Sequence, residues 1–411
     1  MVQRREDIPL VPDRLDVQQV TDDIYTVQCS VVGQQAHTSY TSWVVTGDGV
    51  VIIDPGMYRI CSMIKEEISR ETDQTLRYLV YSHGHVDHIG GAAAFTEDGP
   101  EVISHENVIP RLERYQLTAD YIRRINSIQF HFEIPRGRYT PVYPTVTYRD
   151  EYNFQLGGKT FELFHGKGET DDHTLVWIPE SRTVFCGDLL EASFPNLGNP
   201  FKVMRYAEEW VGALERTLAL EPDFAVGGDL IITDKRKLTE VFREHIELLR
   251  FLQDSVVQAA NEGKNLEQMM EEIQLPPHLE NSPNLRQVYS RREFAIYNIW
   301  KRYCGYFDFS PSGLLPRPKR ELAGVVRELI GSDETVLKKA EDLMEDGWLQ
   351  LALETLDIIL RVDYENMAAR RLRSSILKKL AETDMCLMSR NVWIHYQEED
   401  ERFLGQKQST G

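Results

Sequence analysis

The chain has 411 residues, with 46 Lys and Arg against 65 Asp and Glu, a formal net charge of −19 at pH 7. One globular domain rarely exceeds about 250–300 residues, so the length asks for two. The acidic balance argues against a nucleic-acid enzyme, no run of about 18 apolar residues is available to span a membrane, and the opening MVQRREDIPLVPDRLD lacks the apolar stretch of a secretory signal.

Residues 1–17 are polar and without periodicity, and read as an extended arm. From Val20 the pattern turns to strands. IYTVQCSVV and TSYTSWVVTGDGVVIIDPG are β-branched and aromatic runs. Gly47-Asp48-Gly49 marks a hairpin inside the second run, and Asp54-Pro55-Gly56 ends it. MIKEEISRETD places Ile64 and Ile68 four apart, which predicts an amphipathic helix, and LRYLVYSHGH returns to strand. Residues 107–135 are helical in composition, and 136–150 read as a loop. A second strand-rich block follows in TVTYRDEYNFQLGGKTFELFHGKG, TLVWIPESRTVFCGD and DFAVGGDLIIT, interrupted by one helical stretch, MRYAEEWVGALERTLALEP. Residues 18–235 therefore predict an α/β domain with two strand-rich halves.

The composition shifts near Thr233. From there to about residue 397 nearly every segment has helical periodicity, broken by Pro276-Pro277 and SPSGLLPRPK. Leu337 to Leu380 reads as antiparallel helices, with no second copy at a fixed period. This predicts an all-α domain over 236–400 and a frayed tail over 401–411. The five cysteines (Cys29, Cys61, Cys186, Cys304, Cys386) are scattered and show no CxxC spacing, so free thiols and a cytoplasmic location are expected.

The strongest chemical signal is Ser82-His83-Gly84-His85-Val86-Asp87-His88-Ile89-Gly90-Gly91. Four potential ligands fall within six residues, after an apolar strand and before a small-residue segment. On an extended segment His83 and His85 project from one side. Asp87 and His88 follow at the strand-to-helix turn, where the chain can aim them at a second ion. Imidazole with carboxylate suits zinc, iron or manganese.

This HxHxDH motif, with its strand and its Gly-Gly, resembles the metallo-β-lactamase fold superfamily. The resemblance implies an αββα sandwich that holds one or two metals at the strand ends. The family's next ligand is a histidine ten residues before a strand-ending proline. Here Pro179 puts Glu169 at that position, with His173 four residues later. Either Glu169 is the ligand and His173 lines the pocket in a catalytic role, or His173 is the ligand. Asp188, after Val184-Phe185-Cys186-Gly187, matches the family's bridging aspartate. The last family ligand is a histidine in a glycine turn. The segment Gly227-Gly228-Asp229 has none, and Asp229 is the nearby side chain that could replace it. The implied set is His83, His85 and Glu169 on one metal, Asp87, His88 and Asp229 on the other, and Asp188 between them. Two divalent ions are expected, zinc first and iron or manganese next.

A glutamate in the third position resembles the alkyl sulfatase branch, and so do the segment Ile299–Asp308, Leu314-Leu315-Pro316 and the helical hairpin after them. That branch implies a homodimer through the C-terminal helical domain. Its sterol-carrier-like third domain is expected to be lacking. An Asn-Leu-x-x-x-Arg segment holds sulfate in that branch. Here Asn196 is retained, Phe201 stands at the arginine position, and Lys202 or Arg205 could supply the charge. The expected activity is hydrolysis of a sulfate ester or related small substrate by a metal-bound hydroxide that Asp87 orients. Two alternatives stay open: a dinuclear iron enzyme that activates oxygen, and a non-catalytic dimeric protein with a degenerate site.

Overall fold

The computed structural model describes residues 14–30, 38–134 and 140–409. Seven strands form a first sheet in chain order: β1 (Val17–Thr21), β2 (Ile24–Ser30), β3 (Thr38–Val45), β4 (Val50–Ile53), β5 (Leu76–Val80), β6 (Glu101–His105) and β7 (Val146–Tyr148). The first four are antiparallel, and β4 to β7 are parallel. Parallel neighbours need crossovers. These are supplied by α1 (Cys61–Glu71), by the short α2 (Val86–Ile89), and by α3 (Val108–Leu117) with α4 (Ala119–Gln129). The expected hairpin at Gly47-Asp48-Gly49 joins β3 to β4, with Val45 facing Val50.

The second sheet holds β8 (Glu151–Leu156), β9 (Lys159–His165), β10 (Thr174–Ile178), β11 (Thr183–Gly187), β12 (Phe224–Gly227) and β13 (Ile231–Ile232). It is antiparallel except where α5 (Ala207–Ala219) carries the chain from β11 to a parallel β12.

The period-two alternation of each strand sorts side chains into layers. Val51 and Ile53 join Val80, Phe161, Val176 and Phe185 between the sheets. Val50 and Ile52 face the other way, onto Trp43, Ile64 and Leu79. Leu175 and Trp177 face outward from the second sheet onto Trp210, Phe242 and Leu249. The result is the αββα order of layers that the resemblance implied.

The next helices are α6 (Lys235–Asn261), α7 (Leu266–Glu272), α8 (Pro277–Glu280) and α9 (Arg292–Tyr303). Asp234 caps α6 by accepting from the amides of Arg236 (2.8 Å) and Lys237 (3.0 Å). Leu238, Phe242 and Leu249 of α6 and Ile296 and Ile299 of α9 share one apolar cluster with the second sheet. The compact unit therefore runs through Cys304 and leaves out 124–134, rather than ending near residue 235. Helical periodicity marked the start of α6 but carried no information about which core its apolar stripe joins.

Residues 124–134 and those after 304 form the second unit, with α10 (Lys319–Ile330), α11 (Asp333–Glu345), α12 (Leu349–Leu360), α13 (Met367–Thr383) and α14 (Leu387–Ser409). Val336, Ala340, Leu356, Ile359 and Ile376 form its core. The expected frayed tail is helical here: α14 continues to Ser409. Asp400, fully buried, holds it in place by accepting from Arg373 Nε (2.7 Å) and Nη2 (2.6 Å), with Arg370 Nη1 at 3.1 Å. Most of the expected arm, residues 1–13, and the last two residues lie outside the described residues, and β1 begins at Val17. Among the described residues no helix is long and apolar enough to cross a membrane.

Removing Asp400 would strand two buried guanidinium groups. Asp400→Ala should cost about 3–5 kcal/mol, read as an earlier urea transition of the helical unit. Faster amide exchange should accompany it in α14. Unchanged exchange after residue 400 would contradict the tethering role.

Candidate metal centre

The site is built from the C-terminal ends of β4, β5 and β11. Asp54 follows β4 in the left-handed region, φ 55°, and is buried. Its Oδ1 accepts from the Ser82 amide (2.7 Å), and its Oδ2 accepts from the Ser82 hydroxyl (2.5 Å) and from His88 Nδ1 (2.8 Å). The Ser82 hydroxyl, having given its proton to Asp54, accepts from His83 Nδ1 (3.0 Å). One carboxylate thus sets the tautomer of two histidines and leaves both Nε2 atoms as lone pairs. The sequence marked Asp54 only as a strand breaker.

His83, His85, Glu169 and Asp188 bring one ligand atom each to within 4.8 Å of one another. His83 Nε2 lies 2.7 Å from His85 Nδ1 and 3.5 Å from Asp188 Oδ2, and His85 Nδ1 lies 3.6 Å from Glu169 Oε2. Asp188 turns its other oxygen, Oδ1, to His88 Nε2 at 3.0 Å, and Asp87 Oδ2 is 3.8 Å from the same nitrogen. Gly187 allows this: at φ 47° it swings the chain out of β11, and a Cβ there would meet His173 Nε2 and Ser82 Oγ at 2.8 Å.

The donor set suits a cation. Among the described residues Glu169 Oε2 is buried and makes no hydrogen bond. A buried anionic oxygen left without a donor is costly, and a metal ion removes that cost. Mixed imidazole and carboxylate donors fit zinc, manganese or iron. Burial opposes charge on His88, yet Asp188, Asp54 and Asp87 hold its proton affinity well above the usual histidine range. That surplus of negative charge is what a bound cation would answer.

Glu169, rather than His173, joins the group. Its other oxygen, Oε1, accepts from Arg205 Nη2 (2.5 Å), Arg205 Nε (3.1 Å) and Asn196 Nδ2 (3.1 Å). Burial opposes ionisation of Glu169, but Arg205 and then His85 hold it well below the usual carboxylate range. Arg205 and Asn196, expected to bind substrate, are buried braces of this ligand. Lys202 is the cation that remains beside the site. Burial and Arg205 lower it to about 8, against the pull of Asp87 and Glu169.

His173 lies outside the four-atom group. Its Nε2 donates to the Cys186 carbonyl (2.8 Å), and its ring stacks on His83 with centroids 4.7 Å apart. Burial and His83 push it down to about 3, so it is a neutral support. Asp229 is also outside the four-atom group, and its Oδ1 accepts from the Ala192 amide at 2.6 Å. The turn before it approaches so closely that a Cβ on Gly228 would sit 2.3 Å from Asp188 Oδ1. Sequence register could not supply that distance.

Three further residues escaped the sequence. Asp172 accepts from the Gly84 amide and from Arg111 Nε, each at 2.7 Å, and braces the His-Gly-His segment. Glu191 and Tyr289 are buried beside the carboxylates. Burial, then Asp188, Asp229 and Glu169, push Glu191 well above the usual carboxyl range. Tyr289 precedes α9, in a segment the sequence assigned to another domain.

Residues 36–229 match the metallo-beta-lactamase superfamily, and residues 265–402 match the alkyl sulfatase dimerisation family. A linear primary-alkylsulfatase of Pseudomonas sp. is 24% identical over 378 residues, 84% of this chain and 71% of the relative. An alkyl/aryl-sulfatase of Saccharomyces cerevisiae is 20% identical over 370 residues, 82% of this chain and 57% of the relative. The chain spans about half, 52%, of an (R)-specific secondary-alkylsulfatase of Pseudomonas sp., at 22% identity over 352 residues, 77% of this chain. The solved structure of the inverting sec-alkylsulfatase Pisa1 from Pseudomonas sp. shares the fold, with a TM-score of 0.83 at 19% identity over 95% of this chain and 66% of that one. The chain is thus a metallo-beta-lactamase superfamily domain followed by an alkyl sulfatase dimerisation domain.

Proposed function

We propose that this chain is a metal-dependent hydrolase of small sulfate esters, with two divalent ions, zinc foremost, astride Asp188. The observation that carries the reading is the divided carboxylate of Asp188: one oxygen faces His83, the other faces His88. His83, His85 and Glu169 would hold one ion, and Asp87 and His88 the other. Bound metal supplies Lewis-acid activation of water and of the leaving oxygen. The chain's own residues do the rest. Arg205 and Asn196 keep Glu169 ionised and leave one of its oxygens free to ligate. Asp87, at the edge of the site, accepts a hydrogen bond from the attacking water and orients it.

The names of the relatives point to alkyl sulfates, and a sulfate is anionic. The net charge of −19 repels it at long range. Lys202 is the local cation that offsets this repulsion, in place of the arginine that Phe201 replaces. The 265–402 match supports a homodimer. Within it α10 exposes Leu322, Val325 and Leu329, an apolar stripe that a second copy would cover.

His85→Ala should remove bound zinc, measured by elemental analysis, and abolish release of sulfate from a linear alkyl sulfate. Activity that survives would refute the site. Arg205→Met should weaken metal affinity about 10–100-fold in a chelator competition, with Arg205→Lys intermediate. If Arg205 bound substrate instead, KM would rise while metal affinity stayed unchanged. Lys202 is charged below about 8 and neutral above. KM for an anionic ester should therefore rise as pH passes that value, and Lys202→Met should have a raised KM without the step.

A further inference from the structure

The two halves of the domain meet at the ligands of the first ion. His83 and His85 follow β5 of the first sheet, and Glu169 lies in the turn between β9 and β10 of the second. Asp172 belongs to the same turn as Glu169 and is fully buried. Its Oδ2 accepts at 2.7 Å from the amide of Gly84, the residue between the two histidines. Its Oδ1 accepts from Arg111 Nε of α3, also at 2.7 Å. Arg111 is buried too, and its Nη2 donates to Asp171. One carboxylate and one guanidinium thus lock the Glu169 turn to the first sheet.

The lock is close-packed. A Cβ on Gly84 would lie 2.7 Å from Arg111 Cδ and 3.1 Å from Asp172 Oδ2, so no side chain fits between the histidine segment and this pair. The turn is also held as a unit. The Gly166 amide donates to the His173 carbonyl at 2.9 Å, and the Thr174 amide donates to the Ser82 carbonyl at 2.6 Å. Asn107 Nδ2 (2.8 Å) and His165 Nε2 (3.1 Å) both donate to the Asp171 carbonyl. A shift at Asp172 is therefore passed on to Glu169 rather than absorbed. Arg205 and Asn196 hold the Glu169 carboxylate itself. Asp172 holds the backbone segments that carry the ligands.

We infer that Asp172 is a positioning residue for the first metal ion: it sets the spacing between the His83–His85 segment and the Glu169 turn, and Arg111 anchors it there. This rests on the metal reading above, through the ion that His83, His85 and Glu169 would hold. Affinity for a metal depends on how firmly outer partners hold its ligands. Asp172 does so for ligands from both sheets at once, through a backbone amide and not through a ligand side chain.

The test loads the metal-free whole chain with Zn²⁺ and, separately, with Co²⁺, whose visible absorption band reports ligand geometry. Asp172→Ala removes both bonds. Asp172→Asn keeps an oxygen for the Gly84 amide and gives Arg111 a neutral partner. Zinc affinity, read by chelator competition, is expected to fall about 10–100-fold in Asp172→Ala and by less in Asp172→Asn. The cobalt band of Asp172→Ala should shift in position or intensity. A role in folding alone would lower the melting temperature but leave affinity and band as in wild type. That result would overturn the inference and leave the metal site standing. Should Asp172→Ala not fold, Asp172→Asn decides: weaker zinc binding supports the inference, and wild-type affinity overturns it. A wild-type chain that binds neither ion would overturn the metal reading and the inference with it.

Discussion

Asp188 stands at the meeting point of everything the fold arranges. Its carboxylate is buried between His83 and His88, with one oxygen for each. Anionic oxygens taken out of water need a partner of opposite charge or a set of donors. Among the described residues that need is not met in full, since Glu169 Oε2 is left without a hydrogen bond. In the reading proposed above, the centre is a socket whose electrostatics a bound divalent cation would complete. The rest of the structure either builds the socket or keeps its walls in register.

The sandwich builds it by bringing strand ends together. β4 delivers Asp54, β5 delivers the histidine segment, and β11 delivers Asp188 across the seam between the sheets. Asp54 then acts through others. By holding Ser82 and His88 it decides which nitrogens of His83 and His88 are free. Arg205 does the same for Glu169 from the opposite wall. These braces turn a flexible set of ligands into a fixed one, and preorganisation of that kind is what metal affinity and electrostatic catalysis depend on.

Local patterns carried much of this. The HxHxDH segment is contiguous, so its ligands, and the strand and turn that aim them, were legible from residues 82–91 alone. Asp188 and Glu169 needed a family register as well, and the geometry brings both together with His83 and His85. What stayed hidden depended on partners distant in sequence. The charge of Arg205 was plain, but its commitment to a carboxylate 36 positions earlier was not. The sequence left His173 open as ligand or pocket residue, and its contact with the Cys186 carbonyl depends on a partner 13 positions away. The expected boundary near 235 falls between the two family matches, 36–229 and 265–402, while the first compact unit runs on to Cys304, because helical periodicity reports a helix, not the core it joins. The tail after residue 400 read as frayed from its terminal position, whereas α14 runs on through it and is held at Asp400 by two arginines.

The central claim is that two cations sit astride Asp188. Anomalous diffraction from crystals grown with zinc tests it most directly. The account predicts two peaks flanking the Asp188 carboxylate, one bounded by His83, His85 and Glu169 and the other by His88 and Asp87. A single peak, or peaks that leave either oxygen of Asp188 without metal, would contradict it.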